Sequence, residues 1–111
     1  MILDRDSLLQ AMELKKENVT IGDGEVIVSE IGASDMIDLY TRKDLHDENG
    51  DMIISKFTPA LVVMAVVGEN GERLFSDADI PLLEKAPASQ LGKLADVARK
   101  LNGLKGDETK N

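Results

Sequence analysis

The residues able to do chemistry are few, and their surroundings limit what they can do. The single histidine, His46, sits between Leu45 and Asp47 in a polar stretch. One histidine cannot supply the paired ligands of a zinc motif, and a general base needs partners that the sequence does not identify here. His46 reads as a surface residue. The acid pairs Asp4/Asp6 and Asp77/Asp79 have the make-up of a general acid–base couple. Both pairs fall where helices should begin, and the helix dipole favours carboxylates there. Three short stretches resemble cation loops. A calcium loop needs Asp first, Gly sixth and Glu twelfth. With Gly50 sixth, the first position is Leu45 and the twelfth Lys56; with Gly71 sixth, the first is Val66 and the last Asp77. Gly22-Asp23-Gly24 has too few oxygen ligands nearby. All three stretches read as turns.

Other chemistries are missing by residue type. The chain has no Cys, which removes disulfides, thiol catalysis and Cys-ligated metals. Its glycines form no phosphate-binding loop. Ser7, Ser29, Ser34, Ser55, Ser76 and Ser89 stand in no nucleophile elbow. The expectation is a protein that is no enzyme, holds no catalytic residue, metal or cofactor, and works by binding other proteins.

Length and composition set the frame for that surface. A chain of 111 residues fits one domain with one modest core. Trp is absent, Tyr40 is the only tyrosine, and Phe57 and Phe75 are the only phenylalanines, so Leu, Ile, Val, Met and Ala must build the core. The formal net charge of -8 repels phosphate backbones and anionic lipid, which argues against nucleic acid and membrane partners. The start, Met1-Ile2-Leu3-Asp4, lacks a signal peptide's basic region and apolar run, and the longest apolar stretch is Ala60 to Val67. The cytoplasm is the expected location.

The elements follow from periodicity and punctuation. Asp4 caps a helix with Leu8, Leu9, Met12 and Leu14 on one face. Val19 to Ile31 reads as a hairpin turning at Gly22-Asp23-Gly24. Gly32 to Asp35 starts a helix carrying Met36, Ile37, Leu39, Tyr40, Lys43 and Leu45 to an end at Asn49-Gly50. Thr58-Pro59 starts a buried central helix through Val66; its valines would also suit a buried strand, but Pro59 and the length favour helix. Gly68 to Glu72 is a turn, and Arg73 to Phe75 is extended. Ser76 and Asp79 form a capping box before a short helix reaching about Glu84. Pro87 opens the last helix, striped by Leu91, Leu94, Val97, Ala98 and Leu101, with Asn102-Gly103 ending it. The expected fold is α+β, mainly α-helical, with four to five helices and one N-terminal β-hairpin. Residues 1–104 form a single domain, and 105–111 form a disordered tail.

One stretch carries more than periodicity. Gly68 to Leu104 joins an acidic glycine turn to Arg73-Leu74-Phe75-Ser76-Asp77, then to a helix ending Leu101-Asn102-Gly103-Leu104. This resembles the tail assembly chaperones of long-tailed bacteriophages. The likeness extends over nearly the whole chain through the opening helix, the valine-rich hairpin and the cap at Ile31 to Ser34, where Gly32 stands in place of the usual Thr.

The resemblance implies a protein of the host bacterial cytoplasm, encoded by a phage or prophage and absent from the mature virion. It would bind the tape measure protein, keep it soluble and help recruit major tail protein subunits. It implies a longer form of the chain made by programmed frameshift, and Lys110-Asn111 can be encoded by an A-rich slippery sequence. Self-association suits a long client, because repeated weak contacts reinforce each other. The residues expected to meet a partner are Leu91 and Val97 on the last helix and Met36 and Tyr40 on the second. Two other readings compete: a small structural tail or head completion protein of the virion, and a small hydrolase using the acid pairs.

Overall fold

A computed structural model of the chain describes residues 1–104; the expected tail at 105–111 lies outside the described residues. The elements are α1 (Arg5–Ala11), β1 (Lys16–Ile21), β2 (Gly24–Ser29), α2 (Ala33–Thr41), α3 (Ile54–Ala65), β3 (Val66–Val67), α4 (Ile80–Glu84) and α5 (Ala88–Leu101), with 3-10 turns at Lys43–Leu45 and Asp77–Asp79. The class is α+β and mainly helical, with the hairpin N-terminal as expected.

Helix α3 is the axis of the core. Phe57 and every residue from Pro59 to Ala65 are buried, because α2, α4 and α5 all pack around it. A helix that is apolar all round has to be enclosed this way. It begins at Ile54, one turn earlier than Pro59 suggests, and Pro59 lies inside it. Ile53 starts that turn: its carbonyl accepts from Lys56 at 3.0 Å and Phe57 at 2.9 Å. Proline removes its bond to the carbonyl four residues back, and burial of Phe57 and Pro59 holds the turn regardless. At the other end the chain straightens into β3 without a loop, with Val66 opposite Val28 and Val67 opposite Ile27. The valine-rich run is thus helix and then strand, and the hairpin grows into a sheet of order β1-β2-β3, antiparallel throughout.

The hairpin is longer than its β-branched residues indicate. Lys16, Glu17 and Asn18 pair with Ser29, Val28 and Ile27, because a strand at the sheet's border tolerates polar residues. Its loop is Gly22-Asp23, with Gly22 at φ +60°. Helix α2 is shorter than expected, ending at Thr41 rather than near Asn49. Arg42 leaves the helix in an extended conformation, and Leu45 drops into the core, 1% exposed. The segment to Ile53 is then a closed turn: Asp47 accepts from the amides of Asn49 and Asp51 at 2.9 Å each, and His46 bridges to Met52.

Helix α5 covers the sheet and α3 together, burying Ala95 and Ala98. Its end is fixed by a Schellman motif. The Leu104 amide donates to the Arg99 carbonyl at 2.8 Å and Gly103 to Lys100 at 3.3 Å, with Gly103 at φ +69°. Asn102 accepts from the Ile31 amide at 2.8 Å and donates to the Ala98 carbonyl, which locks the exit of β2 to the end of α5.

Candidate functional site

Asp4, Asp77, Asp79 and His46 each have a structural partner. Asp4 caps α1, accepting from the Ser7 amide at 2.9 Å, and that bond holds its carboxyl below the ordinary aspartate range. Asp79 accepts from the Ser76 amide at 2.9 Å, the reach-back half of the expected box. Asp77 is engaged with Arg42 at 3.3 Å. His46 places Nδ1 2.7 Å from the Arg42 carbonyl, so it serves the end of α2. Among the described residues, no group of His, Asp and Glu is arranged to hold a metal ion. No helix among them is long and apolar enough to cross a membrane.

The recurrent motif is likewise structural. Arg73 pairs with Asp35 of α2 at 3.2 Å, Phe75 packs on the core, and Leu101 and Leu104 do the same from α5. Leu74 is the exception, 52% exposed.

Of the four residues expected to bind a partner, Leu91, Val97 and Met36 are half-buried and packed against the core. Tyr40 stays exposed, its ring lying over Phe57 with centroids 5.6 Å apart. The apolar stripe of α5 is spent largely on α3 and the sheet. What remains on the surface lies elsewhere, and periodicity could not separate it from the core.

An open groove of about 510 Å3 lies between the end of α2, the start of α3, and α4. Leu45, Ala78, Ile80 and Pro81 give it an apolar floor, and Arg42, Asp44, Lys56, Asp77 and Glu84 surround it with charge. Arg42 organises this rim. Its guanidinium holds Asp44 through two bonds, Nε at 3.1 Å and Nη2 at 2.8 Å, and reaches Asp77 with Nη1. The paired charge raises the Arg42 pKa and lowers that of Asp44, chiefly through their hydrogen bond. Beside Arg42, Asp44 is held in its charged form. Exposed Ile54 and Leu82 belong to the same two helices, α3 and α4, that form the groove wall. Ile54 escaped notice in the sequence because α3 starts before Pro59. Such a site offers apolar contact between fixed charges, which is the chemistry of docking a side-chain stripe.

Comparison of the chain with protein-family models, with curated proteins and with solved structures finds no match.

Proposed function

We propose that this protein is a client-binding chaperone, and that its client is the long helical tape measure protein of a bacteriophage tail. The observation that carries the reading is the groove beside α3. It is apolar on its floor, the helices that form it also carry exposed Tyr40, Ile54 and Leu82, and the chain's formal net charge is -8. An amphipathic client helix would lay its stripe there while the acidic surface keeps the complex dissolved. The resemblance of Gly68 to Leu104 to tail assembly chaperones names the client. In that role the chain would act in the host cytoplasm, help recruit major tail protein, work beside a longer frameshifted form of itself, and leave before the virion is complete.

Co-expression with the tape measure product encoded beside it tests the reading. The expected result is a soluble, co-purifying pair, with capture lost when Leu82→Glu and Ile54→Glu are combined. A tape measure protein that stays insoluble and unbound would end the proposal. Recovery of this chain from purified particles would favour the small structural virion protein instead.

A further inference from the structure

The charges around the groove beside α3 have an order once its internal pairs are set aside. The charged residues that line it are Arg42, Asp44, Lys56, Asp77 and Glu84. Asp44 gives both carboxylate oxygens to Arg42, at 3.1 and 2.8 Å, and is fully engaged. Asp77 gives Arg42 only Oδ1, at 3.3 Å, and its side chain stays 60% exposed. Glu84 and Lys56 are exposed, and neither side chain has a hydrogen-bond or ion-pair partner among the described residues.

Two of the three remaining charges stand on one wall. Asp77 opens the 3-10 turn that leads into α4, and Glu84 ends α4. Between them Ala78, Ile80 and Pro81 line the groove. Positions 77, 80, 81 and 84 follow helical spacing, so this wall is one helical face. From Asp77 to Glu84 it rises about 12 Å, through the tighter turn and then the α-helix. The wall therefore reads acid, apolar, acid along its length. Lys56 belongs to the other wall, on α3.

We infer that the occupant of this groove is an amphipathic helix of another protein, carrying lysine or arginine at two positions seven or eight apart with apolar residues between them. Those spacings rise about 10.5 and 12 Å, so the two cations reach Asp77 and Glu84 while the side chains between them meet Ile80 and Pro81. The balance of the lining agrees, with three acids against two bases in a chain of net charge -8. An acidic helix would set like charges against both ends of the wall, which weakens binding. The inference rests on the reading of the groove as a client site, and it states what that site selects.

A second copy of this chain fits poorly. Within one described helix the only cations at such spacing are Lys93 and Lys100 of α5. Both are in use at home: Lys93 donates to the Thr20 carbonyl at 2.7 Å, and Lys100 pairs with Glu17 at 3.4 Å.

Synthetic helical peptides, titrated against the full chain by fluorescence anisotropy, test it. The first peptide carries two lysines seven apart that flank a leucine stripe. The second has glutamate in place of both. The third keeps two lysines and the same net charge but turns them to the far face. The first should bind, and the other two at least about tenfold more weakly. Glu84→Gln should weaken the first peptide about two- to fivefold. Its melting temperature should not change, because Glu84 has no partner within the fold. Equal binding of the first and third peptides overturns the inference, as does a first peptide indifferent to Glu84→Gln. Self-association of the chain that the first peptide displaces would overturn it in favour of a second copy. Peptide binding without capture of the tape measure protein would remove that client and leave the inference standing. Capture of that protein undiminished by Glu84→Gln, with no peptide bound, would overturn the inference and leave the client.

Discussion

Helices α3 and α1 both carry apolar side chains and meet opposite fates. From Pro59 to Ala65 every residue of α3 is buried, whereas no residue of α1 is. Hydrophobicity is part of the difference, since α3 is apolar nearly all round and α1 only on one stripe, but the neighbours matter as well. Helix α3 has three helices around it and flows directly into β3, so its contacts are supplied by the same chain. Helix α1 precedes the sheet, is joined to it by a short link, and half-buries only Ser7. An apolar stripe states that something must cover it; it does not state what.

The sharpest break of that comparison is in stability. Leu61→Ala should cost about 2–5 kcal/mol in urea denaturation, since Leu61 is 0% exposed and its removal leaves a cavity. Leu9→Ala at low protein concentration should stay within about 0.5 kcal/mol of the wild type. A comparable loss at both sites would mean that α1 packs on the body after all.

The ends of helices extend the contrast. Asn102 joins α5 to the exit of β2, and Asn102→Ala leaves the buried Ile31 amide without its acceptor. The expected loss is about 1–3 kcal/mol, measured the same way. Asn102→Asp keeps the acceptor and should lose less.

The cap of α1 is fully exposed, so its effect is local and the smallest. The Ser7 bond lowers the folded-state pKa of Asp4 below the ordinary 3.8. A depressed acid contributes stability that is complete above the unfolded value and is lost as pH falls through the folded one. Hydrogen exchange at the Ser7 amide should therefore gain protection-loss only below about pH 4, after correction for intrinsic rates. Unchanged protection at pH 2 would show that the cap is idle.

Much of the fold was legible in the residues. Gly22-Asp23-Gly24 marked the hairpin turn, the Ser76–Asp79 box the 3-10 turn that leads into α4, and Asn102-Gly103 the end of α5, because each rests on a local backbone rule. The errors occurred where distant contacts outweighed local rules. Pro59 suggested a helix start, yet burial of Phe57 extends α3 past it. Met36 through Leu45 suggested one helix, yet Arg42 breaks out to meet Asp44 and Asp77. Of the candidate partner residues, Tyr40 is exposed, while Leu91, Val97 and Met36 lie against the core.

The groove was not legible at all, since its lining is drawn from residues 42 to 84 and exists only once α2, α3 and α4 meet. By itself the sequence determined the class, the turns, the charge, and the capping duties of Asp4 and Asp79, all of which depend on neighbours within a few positions. Only tertiary structure decided which apolar stripes became core and which stayed on the surface, because a helix face is defined by its own residues but covered by others.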